Sequence, residues 1–275
     1  ADNWPRIEDN NMWAAPYSEY IKLYDVAARH LKTNFPHLKI GGPALCGFGA
    51  CENPTASPRA LHFEKCAREF LAHIRDTKCP LDFFSYHSYA EVDEMMRQVN
   101  CAQRMLEEYG LGSVETWLNE WLPRPCVPER LGTPEQAADI AAALIGFQNA
   151  KLWGACIYDA RCALSNYAPL FNPMTRQPHK AYYAFYDFNE LMKCGGRAVK
   201  VWTDAVRGLW ATAAKGENGA AVMLANSSTT AIPLAFDFGG REVCGCRLTD
   251  AMRTDSDVPL PTFLPPSSFA VILLK

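Results

Sequence analysis

Glu120 stands between Asn119 and Trp121, directly after the stretch Val114-Glu115-Thr116-Trp117-Leu118. A strand over 114–119 puts that carboxylate at the strand's carboxyl end, beside an aromatic surface of the kind a sugar ring packs on. Glu115 has the other parity along the same strand, so its side chain is expected on the opposite face. A second polar cluster, Ser85-Tyr86-His87-Ser88-Tyr89, closes another apolar run. A sugar site needs donors and acceptors that converge on hydroxyl groups, and His87 and Tyr89 supply both. Tyr158, Asp159 and Arg161 offer the same at a third position, although Asp159 and Arg161 are also placed to pair with each other across the loop. Any one of these alone reads as a solvated acid or a hydrogen-bonded structural histidine. Their recurrence at strand ends is what points to a site. Tyr182, Tyr183, Phe185, Tyr186 and Phe188 follow helical spacing instead and read as packing aromatics, not as a cofactor-binding group.

The elements that must position these residues alternate. Apolar residues recur at steps of three and four from Pro16 to Phe35, one face of an amphipathic helix. A short apolar run over 38–40 reads as a buried strand ended by Gly41-Gly42-Pro43. The cycle then repeats: helix over 57–77, strand over 82–86, helix over 91–108, strand over 114–119, helix over 133–149, strand over 153–158 and helix over 178–192. Apolar strands joined by crossover helices predict a parallel sheet, either a barrel or a doubly wound sheet, with the ligand site at the carboxyl ends of the strands. No glycine-rich phosphate loop follows any strand, which disfavours a nucleotide. After Cys194-Gly195-Gly196 the pattern changes to short β-type runs over 208–212, 220–225, 232–236, 243–248 and 269–274. These predict a small antiparallel β-sandwich, with the boundary near residue 196.

Composition narrows the classes. The 275 residues are 49% hydrophobic and 21% charged, which suits a globular protein with a large core. A net charge of -3 with no basic block argues against nucleic acid as a partner. Apolar runs such as 269–274 are far short of the roughly 20 residues of a membrane-spanning helix. Eleven cysteines are many, but their number is odd and their spacing irregular, so they are read as mostly reduced. No CxxC pair occurs and Cys244-Gly-Cys246 has no nearby histidine, so no structural zinc is expected from spacing. No signal peptide is read in these residues. Together with the cysteines this gives a cytoplasmic location as the expectation.

Several segments, taken in order, carry a family resemblance. They are Asp2 through Trp13, the helix with Tyr20 and Leu23-Tyr24, Phe35 through Ala44 with its Gly-Gly-Pro-Ala turn, and Asp82-Phe83-Phe84-Ser85-Tyr86-His87. Asn119-Glu120-Trp121 follows, then Leu170-Phe171-Asn172-Pro173 with Lys180 through Phe185. This pattern resembles glycoside hydrolase family 39, the β-xylosidase and α-L-iduronidase family, over nearly the whole chain. The resemblance implies a (β/α)8 barrel and a retaining mechanism, with an acid/base glutamate in an Asn-Glu pair after the fourth strand and a nucleophile after the seventh. Glu120 matches the nucleophile. His87, Tyr89, Asn119, Trp121, Tyr158 and Asp159 are then expected to line the sugar subsite. Retention needs two carboxyls about 5–5.5 Å apart.

Family members carry the Asn-Glu pair immediately before a segment like Ala1-Asp2-Asn3-Trp4. The expectation is therefore the carboxyl-terminal half of a (β/α)8 TIM barrel, four strands over residues 1–196, followed by an accessory β-sandwich over 197–275. Asp2, Glu8 and Asp9 are the nearby candidates for the missing acid. Half a barrel leaves open strand edges and an apolar inner face, so the expectation is a homo-oligomer, a partner chain completing the barrel, or an excised fragment of a longer gene product. The resemblance implies a plant-type polysaccharide or oligosaccharide such as xylo-oligosaccharides as substrate, and no metal or organic cofactor. The rival readings are an endo-acting glucanase or xylanase on the same scaffold and a non-catalytic carbohydrate-binding protein. Enzyme and binder are told apart by whether a carboxyl lies within catalytic distance of Glu120.

Overall fold

Residues 13–46, 50, 53 and 55–275 are described in the computed structural model. Helix α1, Tyr17–Asn34, buries Tyr17, Tyr24 and Ala28. Helix α2, Pro58–Thr77, begins where the Ser57 hydroxyl accepts the Ala60 N–H at 3.2 Å, and buries Phe63, Cys66, Ala67, Phe70, Leu71 and Ile74 at helical spacing. Between them runs strand β1, Gly41–Leu45. The expected strand over 38–40, closed by the glycines, is thus displaced: Gly41-Gly42-Pro43 is itself the strand. β1 is an edge, where a proline costs no ladder bond on its outer side. A Cβ at Gly41 would collide with the Phe83 carbonyl and ring.

Strand β2, Phe83–Ser88, helix α3, Val92–Glu108, and strand β3, Glu115–Trp121, follow. After helix α4, Pro134–Gln148, comes strand β4, Gly154–Ile157. The four strands pair in parallel in the order β1-β2-β3-β4. Phe84, Tyr86, Leu118 and Trp121 have no exposed surface, while Phe83 and Trp117 lie on the other side with ring centroids 5.9 Å apart. These strands, with α1 to α3, make one compact unit, residues up to 89, 93–121 and 151–157.

The second unit takes residues 90–92, 122–150 and 158–275. Beyond α4 it holds helix α5, Lys180–Phe188, helix α6, Glu190–Lys193, and strands β5, Arg197–Val199, β6, Leu209–Gly216, β7, Gly219–Asn226, and β8, Ile232–Pro233. Strands β9, Val243–Thr249, β10, Ser256–Asp257, β11, Phe263–Leu264, and β12, Ser268–Leu274, complete it. Six of them form an antiparallel sheet, ordered β10-β9-β12-β7-β6-β5, and β8 pairs with β11. One face of the six-stranded sheet buries Leu224, Leu248, Leu264 and Ile272, with Phe236 and Phe238 packed on them. The other face carries α4 and α5. That explains why Ala137 to Phe147 is buried all round: α4 lies between a sheet and a helix. By packing, then, α4 and α5 group with the antiparallel strands, although by sequence pattern they precede the change near residue 196. The single helix expected over 178–192 is two, divided at Asn189.

Among the described residues nine cysteines are free thiols, but Cys101, buried in α3, is disulfide-bonded, an exception to the expected reduced set. Among the described residues no helix is long and apolar enough to cross a membrane.

Arg247 of β9 binds Asp187 at 2.7 Å, Asp255 at 2.7 Å and Glu190 at 3.1 Å. One guanidinium faces three carboxylates, and only Glu190 has further help, from Lys193. Burial of Asp187 pushes its carboxyl up to about 7, and its buried Oδ2 makes no hydrogen bond. A carboxyl raised on folding stabilises fully below its unfolded value near 4, and that contribution is lost as pH rises toward 7. We therefore expect the melting temperature of the wild type, relative to Asp187→Asn, to fall between about pH 4 and pH 7. Parallel melting curves across that range would contradict the assignment.

Candidate active site

The site is built where β2 and β3 end. The registers of β2 against β3 and of β3 against β4 both shift here, after Tyr86 and between Leu118 and Trp121, so that His87 pairs with Glu120. This extra residue reverses the parity expected from simple alternation. Glu120 joins His87 on the face that carries Phe83 and Trp117. Glu115, expected on the opposite face, lies on this same one at the other end of the strand. There it pairs with Lys39 and accepts the Trp117 Nε1–H at 3.1 Å, and the Lys39 ammonium holds its carboxyl below the usual range.

The Tyr89 hydroxyl donates to Glu120 Oε2 at 2.8 Å, and His87 Nδ1 lies 3.2 Å from the same oxygen. The other oxygen, Oε1, meets no donor among the described residues. A carboxylate gripped by one oxygen and free at the other is fixed in direction while keeping a lone pair for chemistry. The Glu120 side chain is 32% exposed, so a ligand can reach it. Tyr89 and His87, expected to meet sugar hydroxyls, are thus engaged first with Glu120 itself.

Other expected residues divide. Asn119 is beside Glu120, with its buried Oδ1 unpaired among the described residues. Trp121 is fully buried and offers no surface to a sugar, a correction that follows from the same bulge, which turns it inward with Leu118. Tyr158 and Asp159 belong to the second unit. Tyr158 is 37% exposed and meets Tyr167 edge-on. Asp159 accepts from the Arg161 backbone at 2.9 Å and its guanidinium at 2.7 Å, the pairing that the sequence already allowed. That guanidinium lowers the Asp159 carboxyl. Asp2, Glu8 and Asp9 lie outside the described residues.

Sequence reading missed the support beneath the site. The Ser88 hydroxyl donates to Gln98 Oε1 at 2.6 Å, and Gln98 Nε2 donates to Glu94 at 2.9 Å. This chain ties the end of β2, which carries His87 and Tyr89, to α3. Its only sequence trace is the i,i+4 spacing of Glu94 and Gln98, which also reads as a solvated helix face.

Comparison with known proteins agrees with the motifs. The family described as Glycosyl hydrolases family 39 matches residues 2–125. A β-xylosidase of Geobacillus stearothermophilus is 40% identical over 80 residues, 29% of this chain and 13% of that protein. Among solved structures, a glucosidase from Croceicoccus marinus superposes with a TM-score of 0.70 at 16% identity, over 96% of this chain and 65% of that one. A GH39 β-xylosidase from Caulobacter crescentus gives 0.66 at 18% identity, over 99% and 65%. An α-L-arabinofuranosidase from Thermotoga maritima gives 0.68 at 13% identity. The chain thus spans less than two thirds of the length of each of these relatives.

Proposed function

We propose that this chain, a relative of glycoside hydrolase family 39, carries the nucleophile half of a retaining β-xylosidase-like site, with Glu120 attacking the anomeric carbon. The observation that carries this reading is the Glu120 carboxylate, held through Oε2 by Tyr89 and His87, with Oε1 free among the described residues. In retention, Oε1 forms a bond to the anomeric carbon as the glycosidic oxygen departs with a proton. Water then replaces the enzyme oxygen. Asn119 flanks the nucleophile and suits a sugar hydroxyl. The substrate class is a xylo-oligosaccharide or a related plant-type glycoside. The test is the configuration of the first sugar released from an aryl β-xyloside, followed by proton NMR. Retained β-configuration is expected, and initial α-xylose would overturn the assignment of Glu120 as nucleophile.

Among the described residues the parallel sheet ends in two edge strands, β1 and β4, and the partly exposed rings of Phe83 and Trp117 lie on one face of it. Open edges of this kind recruit further chain. A second copy or a partner chain that completes the sheet is therefore part of the proposal. Light scattering on the purified chain should show a mass above the 30.6 kDa monomer. A stable monomer with a single cooperative melt would contradict it.

A further inference from the structure

Away from Glu120, Asp25 of α1, His73 of α2 and Cys79, which follows α2, bring one carboxylate oxygen, one ring nitrogen and one sulfur within 4.8 Å of one another. Among the described residues no other group of three such side chains is gathered so closely. We propose that Asp25, His73 and Cys79 form a binding site for a single zinc ion. The donor set, one sulfur, one imidazole nitrogen and one carboxylate oxygen, is that of a borderline-soft cation, not of calcium or magnesium.

The geometry is close to what zinc needs. His73 Nε2 lies 3.0 Å from Asp25 Oδ1. A tetrahedral site with bonds of about 2.0–2.3 Å has edges of about 3.3–3.8 Å, so these two atoms need to part by only a few tenths of an ångström, and the sulfur, within 4.8 Å of both, needs to approach by about 1 Å at most. Both oxygens of Asp25 are oriented by Arg29: its Nε donates to Oδ2 at 2.9 Å, and its Nη2, anchored on the Thr77 carbonyl at 3.0 Å, donates to Oδ1 at 3.1 Å, a bond that Oδ1 keeps or yields as it turns a lone pair to the metal. Ligating carboxylates characteristically carry such an outer partner. The Cys79 side is buried, while Asp25 and His73 remain about a quarter exposed, which leaves an open side for water as the fourth ligand. On binding, the thiol proton of Cys79 and any proton on His73 Nε2 leave to solvent. The metal would staple α1, α2 and the turn into β2, and so stabilise the sheet that carries Glu120 without touching it. Spacing rules overlook the site because His73 and Cys79 are six residues apart and Asp25 lies on another helix.

Cobalt(II) is the probe. Titrated into the purified chain freed of metal by chelation, it should give one equivalent of binding with a thiolate-to-cobalt charge-transfer band in the near ultraviolet and intense visible bands of tetrahedral type. Zinc should displace both. Cys79→Ser should remove the charge-transfer band. His73→Gln, at a partly exposed position, should weaken binding at least tenfold. Absence of the bands in the wild type, their persistence in Cys79→Ser, or unchanged affinity in a folded His73→Gln protein would each overturn the site.

Discussion

Replacing Glu120 by glutamine should lower glycosidase activity by on the order of 10⁴-fold or more and leave the fold unchanged. The amide is isosteric and can still accept the Tyr89 hydrogen bond, so β2 and β3 keep their ends. It cannot form the glycosyl-enzyme bond. Tyr89→Phe makes a useful contrast. It leaves the nucleophile in place and removes one hydrogen bond to a charged oxygen, worth about 1.5–3 kcal/mol, so a loss of about 10- to 100-fold is expected. Glu115→Gln should do little to the chemistry. Its carboxylate sits at the far end of β3 with Lys39 and Trp117, and any effect should appear in the melting temperature. Rates on an aryl xyloside, with circular dichroism as a check on folding, decide the matter. Activity of Glu120→Gln within tenfold of wild type removes Glu120 from the mechanism.

The second large effect concerns the leaving group. A phenol with electron-withdrawing substituents departs with little protonation, whereas the alcohol of a disaccharide needs a full proton. The family resemblance places the acid/base glutamate in an Asn-Glu pair ahead of a segment like Ala1 to Trp4, and among the described residues Glu120 shares its hydrogen bonds only with Tyr89 and His87. Tested alone, the 275-residue chain should therefore cleave the activated aryl glycoside and spare xylobiose by a further factor of about 10²–10⁴. Comparable rates on both substrates would show that a carboxyl of this chain has taken the acid role, with Glu8 the first to test by substitution.

Much of this arrangement is legible in the sequence because it rests on local patterns. Helical spacing fixes α2 and α4 to within a residue or two. Apolar runs give β2, β3 and β4. The failures share a cause, which is that they depend on neighbours in space. Gly41-Gly42-Pro43 looks like a strand breaker until β2 lies so close that only glycine fits. The register shift that turns Glu120 toward His87 and buries Trp121 is invisible to a count by twos. Short strands such as β5, β10 and β11, two or three residues each, have too few side chains to show a period. For the site, strand-end clustering picked out Glu120, His87 and Tyr89 together. It could not tell that His87 and Tyr89 grip the carboxylate, nor that Asp159 is engaged by Arg161.

The most direct test of Glu120 as nucleophile is to trap it. A xyloside with a dinitrophenyl leaving group and fluorine beside the anomeric carbon needs no acid to react, and the fluorine slows release of the intermediate. Incubated with the chain and followed by peptide mass spectrometry, it should give one covalent adduct, on the peptide containing Glu120, absent from Glu120→Gln. An adduct on another carboxylate, or none after release of dinitrophenol has been shown to turn over freely, would contradict the assignment.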